Sequence, residues 1–313
     1  MPTVSVIIPT HNRADMLKEA IESVRQQTFA DWELIVVDDG STDQTRDVVD
    51  ACRTADGRIR YAWQPPQGVC AARNRGFGVA TGEFIGFLDD DDLWLPNKLA
   101  VQVEYLRTHP AVGFVSCPMR VQGPHGRIEG MRPTHPFVNS FEALLIHNRI
   151  QSTTPLVRRC WFERVGGFDP ARARAADYDL WLRLARVVAF ASTTEPLAVY
   201  RIHGHNMTAH IDSQQHLEHV RIFQKLLADP TVQGTARKLV RERLTRELHL
   251  AGKACLSERR YAEAARAFLR ELRLSPLAGS VFVTPEDRLG ARVAKLLKPY
   301  LALGYAGLAS VCK

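Results

Sequence analysis

The sequence contains no Cys-x-x-Cys pair. Its six cysteines, Cys52, Cys70, Cys117, Cys160, Cys255 and Cys312, are scattered, and they read as buried or free thiols in a reducing cytoplasm. Nowhere do 18 uncharged apolar residues follow one another, so no transmembrane helix is expected. The first residues, MPTVSVIIPT, lack a basic leader and run straight into an apolar segment, which argues against a signal peptide. Without a secretory route the sequon at Asn206 is not expected to carry a glycan. No Walker lysine motif occurs. Gly76-x-Gly78-x-x-x-Gly82 has the wrong spacing for a dinucleotide fingerprint and sits within and after a helical pattern.

What is present is a soluble, globular composition. The chain has 313 residues, 45% hydrophobic and 24% charged, enough for one large domain or two smaller ones. Its net charge of +7 is unevenly placed. Residues 1–218 hold 23 Lys/Arg and 26 Asp/Glu, whereas residues 219–273 hold 13 and 6, and residues 284–313 hold 5 and 2. The basic character therefore belongs to the C-terminal part, where it suits solvated helix faces, an anionic partner or a membrane surface.

Strand and helix patterns alternate along the first half. Val4 to Ile8 is an apolar run, and Asp15 to Phe29 follows with Leu17, Ala20, Ile21 and Val24 at helical spacing. Trp32 to Val37 gives a second strand ending in Asp38-Asp39-Gly40-Ser41, with Ser41 or Thr42 placed to cap the next helix. Ile59 to Trp63 reads as a strand, Val69 to Ala80 as a helix and Glu83 to Leu88 as a strand. This order predicts a mostly parallel sheet flanked by helices, with ligands beyond the carboxyl ends of its strands. Further on, Val112 to Cys117 and Thr153 to Val157 read as strands, Pro118 to Pro136 as a Gly-, Pro- and His-rich loop, and Phe141 to His147 as a short helix. Asp177 opens a helix with acids in its first turn, and Pro196 to Tyr200 closes as a strand. From Ile211 the pattern is mostly helical. Tyr261, Ala264, Ala265, Phe268 and Leu272 fit a single tetratricopeptide-like helix without a second copy. Arg288 to Lys298 is amphipathic, with Leu289, Val293, Leu296 and Leu297 on one face.

The stretch Gly82 to Pro96 is the centre of the chain. Its strand stops at four consecutive carboxylates, Asp89, Asp90, Asp91 and Asp92. Four anions at the mouth of a buried strand repel one another and resist desolvation. A cation is expected there, and oxygen ligands favour Mg2+ or Mn2+. The bland alternative is a solvated acidic turn ahead of the helix near Pro96. Pro9-Thr10 and Asp38-Asp39 end neighbouring strands, so three polar strand ends converge on one crevice.

The sequence resembles the family 2 glycosyltransferases, whose fold is called GT-A. Four blocks carry the resemblance: VSVIIPTHNR at Val4 to Arg13, ELIVVDDGSTDQT at Glu33 to Thr45, GVCAARNRGFGVATGEFIGFLDDDDLW at Gly68 to Trp94, and GGFD followed by DYDLWLRL between Gly166 and Leu184. They span roughly the first 205 residues. The resemblance implies a GT-A (Rossmann-like) α/β domain over residues 1–210 and a C-terminal helical extension over 211–313. It implies a nucleoside diphosphate sugar donor, bound through Pro9, Thr10, Arg13, Asp39, Arg73, Asp89 and Asp90. Asp39 stands where the family binds the nucleobase. Thr10 and Arg73 stand at the nucleotide, and Arg13 stands to pair with phosphate or to form a surface salt bridge. The family's DxD motif corresponds to Asp89 and Asp91, as ligands of Mn2+ or Mg2+, with Asp90 between them where the family commonly has a small residue and Asp92 after them, which leaves open which two of the four carboxylates touch the metal. His203 stands where some members place a late metal or diphosphate contact. Asp177 holds the position of the catalytic base, with Ala176 in place of the preceding Glu.

An inverting transferase acting on a glycan or lipid-linked acceptor in bacterial surface polysaccharide assembly is therefore the leading expectation. Its setting is the cytoplasm, with room for peripheral membrane association through the basic C-terminal helices and no nucleic-acid partner. The competing reading is a non-catalytic sugar-nucleotide-binding or scaffold protein with a basic helical tail, which Ala176 favours. A sugar-1-phosphate nucleotidyltransferase would need a Gly-rich, Arg/Lys-bearing loop after the first strand. Pro9-Thr10-His11-Asn12-Arg13 is not that loop.

Overall fold

The computed structural model describes residues 1–134, 140–172, 174–204, 206 and 212–274. The chain divides after Asn206 into two compact units. The terminal segment with the Arg288 to Lys298 pattern lies outside the described residues.

The first unit is built on strands that are apolar because both sheet faces are covered. β1 (Val4–Thr10) and β2 (Trp32–Asp38) are buried along their whole length, the pattern expected of central parallel strands. β3 (Ile59–Trp63) and β4 (Phe84–Phe87) flank them, giving the order β3-β2-β1-β4 with every pair parallel. Three more strands extend the sheet to seven: β6 (Val112–Ser116), β9 (Leu156–Arg158) and β10 (Ala189–Ser192). β9 is antiparallel to β4 and to β6. It brings the segment just before it, Ser152 and Thr153, to the acidic end of β4.

The crossover helices are α1 (Ala14–Arg25), α2 (Thr45–Ala55) and α3 (Val69–Val79), followed by α4 (Lys98–Thr108). α3 lies close on the sheet because Gly76 has no side chain. A Cβ there would stand 2.5 Å from the Ile7 side chain, nearer than van der Waals contact allows. Asp43, rather than Ser41 or Thr42, serves the start of α2, accepting from Thr45 N at 3.0 Å, and its other oxygen accepts from Ala14 N in α1.

Pro118 to Pro136 is not the featureless loop its composition suggested. It contains β7 (Met119–Gln122) and β8 (Ile128–Arg132), an antiparallel hairpin. With β5 (Leu93–Trp94) and β11 (Ala198–Arg201) it forms a second sheet, β5-β11-β7-β8. β9 begins three residues later than the Thr153 to Val157 pattern, because Thr153 and Thr154 turn inward to hydrogen-bond. α5 (Phe141–Ile146), α6 (Arg159–Val165) and α7 (Ala176–Ala185) complete the unit. In α7, Leu180, Trp181 and Leu184 are fully buried, each apolar side chain contributing about 1.5–3 kcal/mol. They fix the helix that begins with Asp177.

The second unit contains α8 (Ser213–Ala228), α9 (Gly234–Ser257) and α10 (Tyr261–Leu274). Gly252 lets Phe268 lie against the α9 backbone, where a Cβ would be 2.6 Å from the ring. Among the described residues no helix is long and apolar enough to cross a membrane.

Candidate active site

The carboxyl ends of β1, β2 and β4 converge on one polar crevice, and each acidic side chain there has its own partners. Asp90 turns away from the other carboxylates. Its Oδ2 accepts from Thr10 Oγ1 at 2.7 Å and its Oδ1 from Arg13 Nη1 at 3.0 Å. Burial pushes its carboxyl up to about 6, with Asp91 adding to the rise, against the pull of Arg13 and Thr10. The same Arg13 nitrogen donates to Asp91 Oδ2 at 2.7 Å. His203 Nε2 lies 3.0 Å from that oxygen. Arg13 Nη1 is thus shared between two carboxylates.

Asp89 is held from two sides. Arg73 Nη2 donates to its Oδ1 at 2.5 Å, and Ser152 Oγ donates to its Oδ2 at 2.6 Å. Burial opposes ionisation of Asp89, but Arg73 and Ser152 hold its carboxyl below the ordinary range. Asp92 is 4% exposed. Burial, and the charges of Asp89 and Asp91, push its carboxyl well above the ordinary range. Carboxylate oxygens of Asp89, Asp91 and Asp92 all lie within 4.8 Å of one another. The structure therefore groups the fourth aspartate with Asp89 and Asp91 and separates Asp90 from them. Oxygen atoms at that spacing suit a hard divalent cation.

Asp39 stands at the end of β2, its oxygens occupied by the loop that leads into α3. Oδ1 accepts from Gln64 Nε2 at 2.7 Å and Gln67 N at 2.8 Å, and Oδ2 accepts from Gly68 N at 2.7 Å. Each carboxylate oxygen has two acceptor sites, so Oδ2 keeps capacity for one further donor.

Arg73 is 6% exposed and lies 5.1 Å from the Phe168 ring centroid. Burial works against its charge, which Asp89 and, more weakly, Asp177 reinforce. Asp177 thus acts on the same guanidinium that anchors Asp89. The loop before α7 is fastened by Asn74, whose side chain donates to Phe168 O at 2.8 Å and accepts from Phe168 N at 2.9 Å. Gly167 makes this approach feasible, with φ 70° and Asn74 Oδ1 only 2.7 Å from where a Cβ would sit. Asp179, two residues beyond Asp177, is a structural anchor. It accepts from Arg183 Nε at 2.7 Å and lies 3.4 Å from Arg172 Nε. Arg183 also donates to the carbonyls of Val165 and Gly167.

Arg201 carries the acidic turn and has no motif to announce it. Its guanidinium donates to the backbone carbonyls of Asp91 at 2.6 Å, Asp90 at 3.3 Å and Met16 at 3.1 Å, and to Glu19 Oε2 at 2.6 Å. A clue lay in its position at the end of the last strand, two residues before His203. Ser152 and Asn74 had no such clue, since both act through chain segments far away in sequence.

The model of the family described as glycosyl transferase family 2 matches residues 5–166. An uncharacterized glycosyltransferase of Nostoc sp. is 37% identical over 211 residues, covering 65% of this chain and 66% of that protein. A GalNAc(5)-diNAcBac-PP-undecaprenol beta-1,3-glucosyltransferase of Campylobacter jejuni is 40% identical over 125 residues, 39% of this chain and 40% of that one. The chain thus spans two thirds or less of these relatives' lengths. Among solved structures, S. aureus TarS 1-349 in complex with UDP-GlcNAc superposes with a TM-score of 0.67 at 19% identity, covering 87% of this chain and 81% of that one. That likeness bears on the fold, a GT-A arrangement with helices after it. With more than half its length matched by the family model, the chain belongs to glycosyl transferase family 2.

Proposed function

We propose that the protein is a metal-dependent, inverting glycosyltransferase that moves a sugar from a nucleoside diphosphate sugar to the hydroxyl of a glycan or lipid-linked acceptor, in bacterial surface polysaccharide or glycan assembly. The observation that carries the reading is the oxygen cluster of Asp89, Asp91 and Asp92 at the end of β4, with Arg73 fastened to Asp89.

Asp89 and Asp91 are the assigned ligands of Mn2+ or Mg2+, with His203 at the edge of Asp91. Bound there, the ion supplies the charge that makes the nucleoside diphosphate a competent leaving group. Pro9, Thr10 and Asp39 line the nucleotide side at the ends of β1 and β2, where ligands of parallel sheets bind. Asp39 Oδ2 receives the donor of the nucleobase ring. Arg73 holds Asp89 in place and faces the phosphates, while Arg13 and Asp90 tie the turn to the end of β1. The acceptor oxygen forms a bond to the anomeric carbon as the bond to the diphosphate oxygen breaks. The acceptor's proton passes to the Asp177 carboxylate. The buried apolar face of α7 fixes Asp177 for this task.

The setting is cytoplasmic, with peripheral association at the inner face of the membrane through the basic C-terminal helices. The motivation is that residues 219–273 carry the largest excess of Lys/Arg in the chain. Sedimentation with anionic liposomes at low and high salt tests it, since electrostatic association weakens with salt. Binding that is equal with neutral lipid would remove it.

The transfer reaction is tested by screening the purified chain against a panel of sugar nucleotides, with and without Mn2+, and measuring nucleoside diphosphate release. Release from one donor class, lost on chelation, is expected. Tight donor binding with no release for any acceptor would favour the non-catalytic reading that Ala176 motivates.

A further inference from the structure

A second cluster of chemistry-bearing side chains lies in the helical unit, outside the family match. His216 and His219 are three residues apart on α8, and so share one face of that helix. Glu247 meets them from α9, and its side chain is 4% exposed. His216 Nδ1 lies 2.8 Å and His219 Nδ1 3.3 Å from the same atom, Glu247 Oε2. All three ligand atoms fall within 4.8 Å of one another. The other carboxylate oxygen, Oε1, accepts from Arg243 Nη2 at 3.1 Å.

We propose that His216, His219 and Glu247 form a site for a borderline divalent transition-metal ion, with Zn2+ the best match, that clips α8 to α9. Two imidazoles and a carboxylate are a common zinc donor set when a water takes the fourth position. Zinc distances of about 2.0–2.1 Å in a tetrahedron put neighbouring ligand atoms about 3.3 Å apart. The observed separations are 3.3 Å for His219, at that value, and 2.8 Å for His216, below it. Arg243 occupies Oε1, so Oε2 is presented as a single ligand atom, as a supporting hydrogen bond does for many ligating carboxylates. The Arg243 guanidinium, 3.1 Å from Oε1, favours the anionic carboxylate. Imidazole ligands also separate this site chemically from the all-oxygen aspartate cluster, which suits Mn2+ or Mg2+. Metal binding requires both Nδ1 atoms to be unprotonated, with the ring protons on Nε2. The rival arrangement, each Nδ1 donating a proton to Oε2, leaves no ligand lone pair for an ion.

The test uses the full chain, stripped with chelator and titrated with Zn2+, with bound metal measured after desalting, and with Co2+ as a spectroscopic probe. The expected result is uptake of a Zn2+ ion that the Asp91→Asn chain also retains, together with ligand-field absorption from bound Co2+ typical of nitrogen ligation. His216→Asn and His219→Gln should each weaken that uptake at least about tenfold. Zn2+ should raise the melting temperature of the wild type and not of His216→Asn, because an ion bound only to the folded state stabilises it. Should either His variant fail to fold, the wild-type and Asp91→Asn titrations still decide the matter. Absence of Zn2+ uptake by the wild-type chain, loss of all uptake in Asp91→Asn, or wild-type affinity in both folded His variants would overturn the proposal and leave a hydrogen-bonded triad.

Discussion

Arg73 donates to Asp89 at 2.5 Å from a position beneath the Phe168 ring, and the charge of Asp177 acts on the same guanidinium. Replacing Arg73 by Met strips a largely buried carboxylate of its counter-charge. Such a loss destabilises a protein by about 3–5 kcal/mol, and the lower end is expected because Asp89 keeps Ser152 and some contact with water. Urea unfolding measures it. The double change Arg73→Met with Asp89→Asn should recover part of the loss. Additive losses would mean that the two side chains are not energetically coupled.

Lys98 gives a pH signature independent of the site. It is fully buried, donates to Gln102 Oε1 at 2.5 Å and lies 4.2 Å from the Trp94 ring centroid. Burial lowers its ammonium from the usual 10.5 to about 8. Between those values the unfolded chain binds the proton that the folded chain has released, so stability rises with pH from about 8 upward. Cys117 works the other way above pH 9, because burial raises its thiol from 9.0 to about 11. The net rise should therefore be steepest between about pH 8 and 9, and Lys98→Met should abolish it. A difference between wild type and variant that does not change with pH would refute the assignment.

Separation of Asp90 from its neighbours predicts unequal mutants. Asp91→Asn should lose most Mn2+-dependent donor binding, while Asp90→Asn, facing Thr10 and Arg13, should retain more of it. Calorimetric titration of the donor with and without Mn2+ measures both. Equal losses would mean that the cluster acts as one unit.

The four-carboxylate turn was legible because a buried strand that ends in adjacent anions is chemically conspicuous. The parallel core was legible because β1 and β2 are mostly apolar runs bounded by polar ends, interrupted only by Ser5 and Glu33, which hydrogen-bond to each other. The β7–β8 hairpin was not, since its Gly, Pro and His content hides strands that pair mainly through backbone. Nor was β10, four residues joined to the sheet only through β6. Arg201 escaped for a related reason, because three of its four guanidinium acceptors are backbone carbonyls, which leave no trace in side-chain spacing. The grouping of Asp92 with Asp89 and Asp91 also required the fold, as the sequence offers four equivalent aspartates.

Asp177 and Asp179 open the same helix with different partners, and comparing them tests sugar transfer most directly. Asp179 is committed to Arg183 and Arg172, so Asp179→Asn should chiefly lower stability. The decisive measurement is single-turnover transfer by Asp177→Asn from the preferred donor, alongside donor binding by the same variant. Donor and metal affinity should stay near wild type while transfer falls by about 100-fold or more, the size expected for a lost general base. Transfer by Asp177→Asn at the wild-type rate would contradict its role as the base.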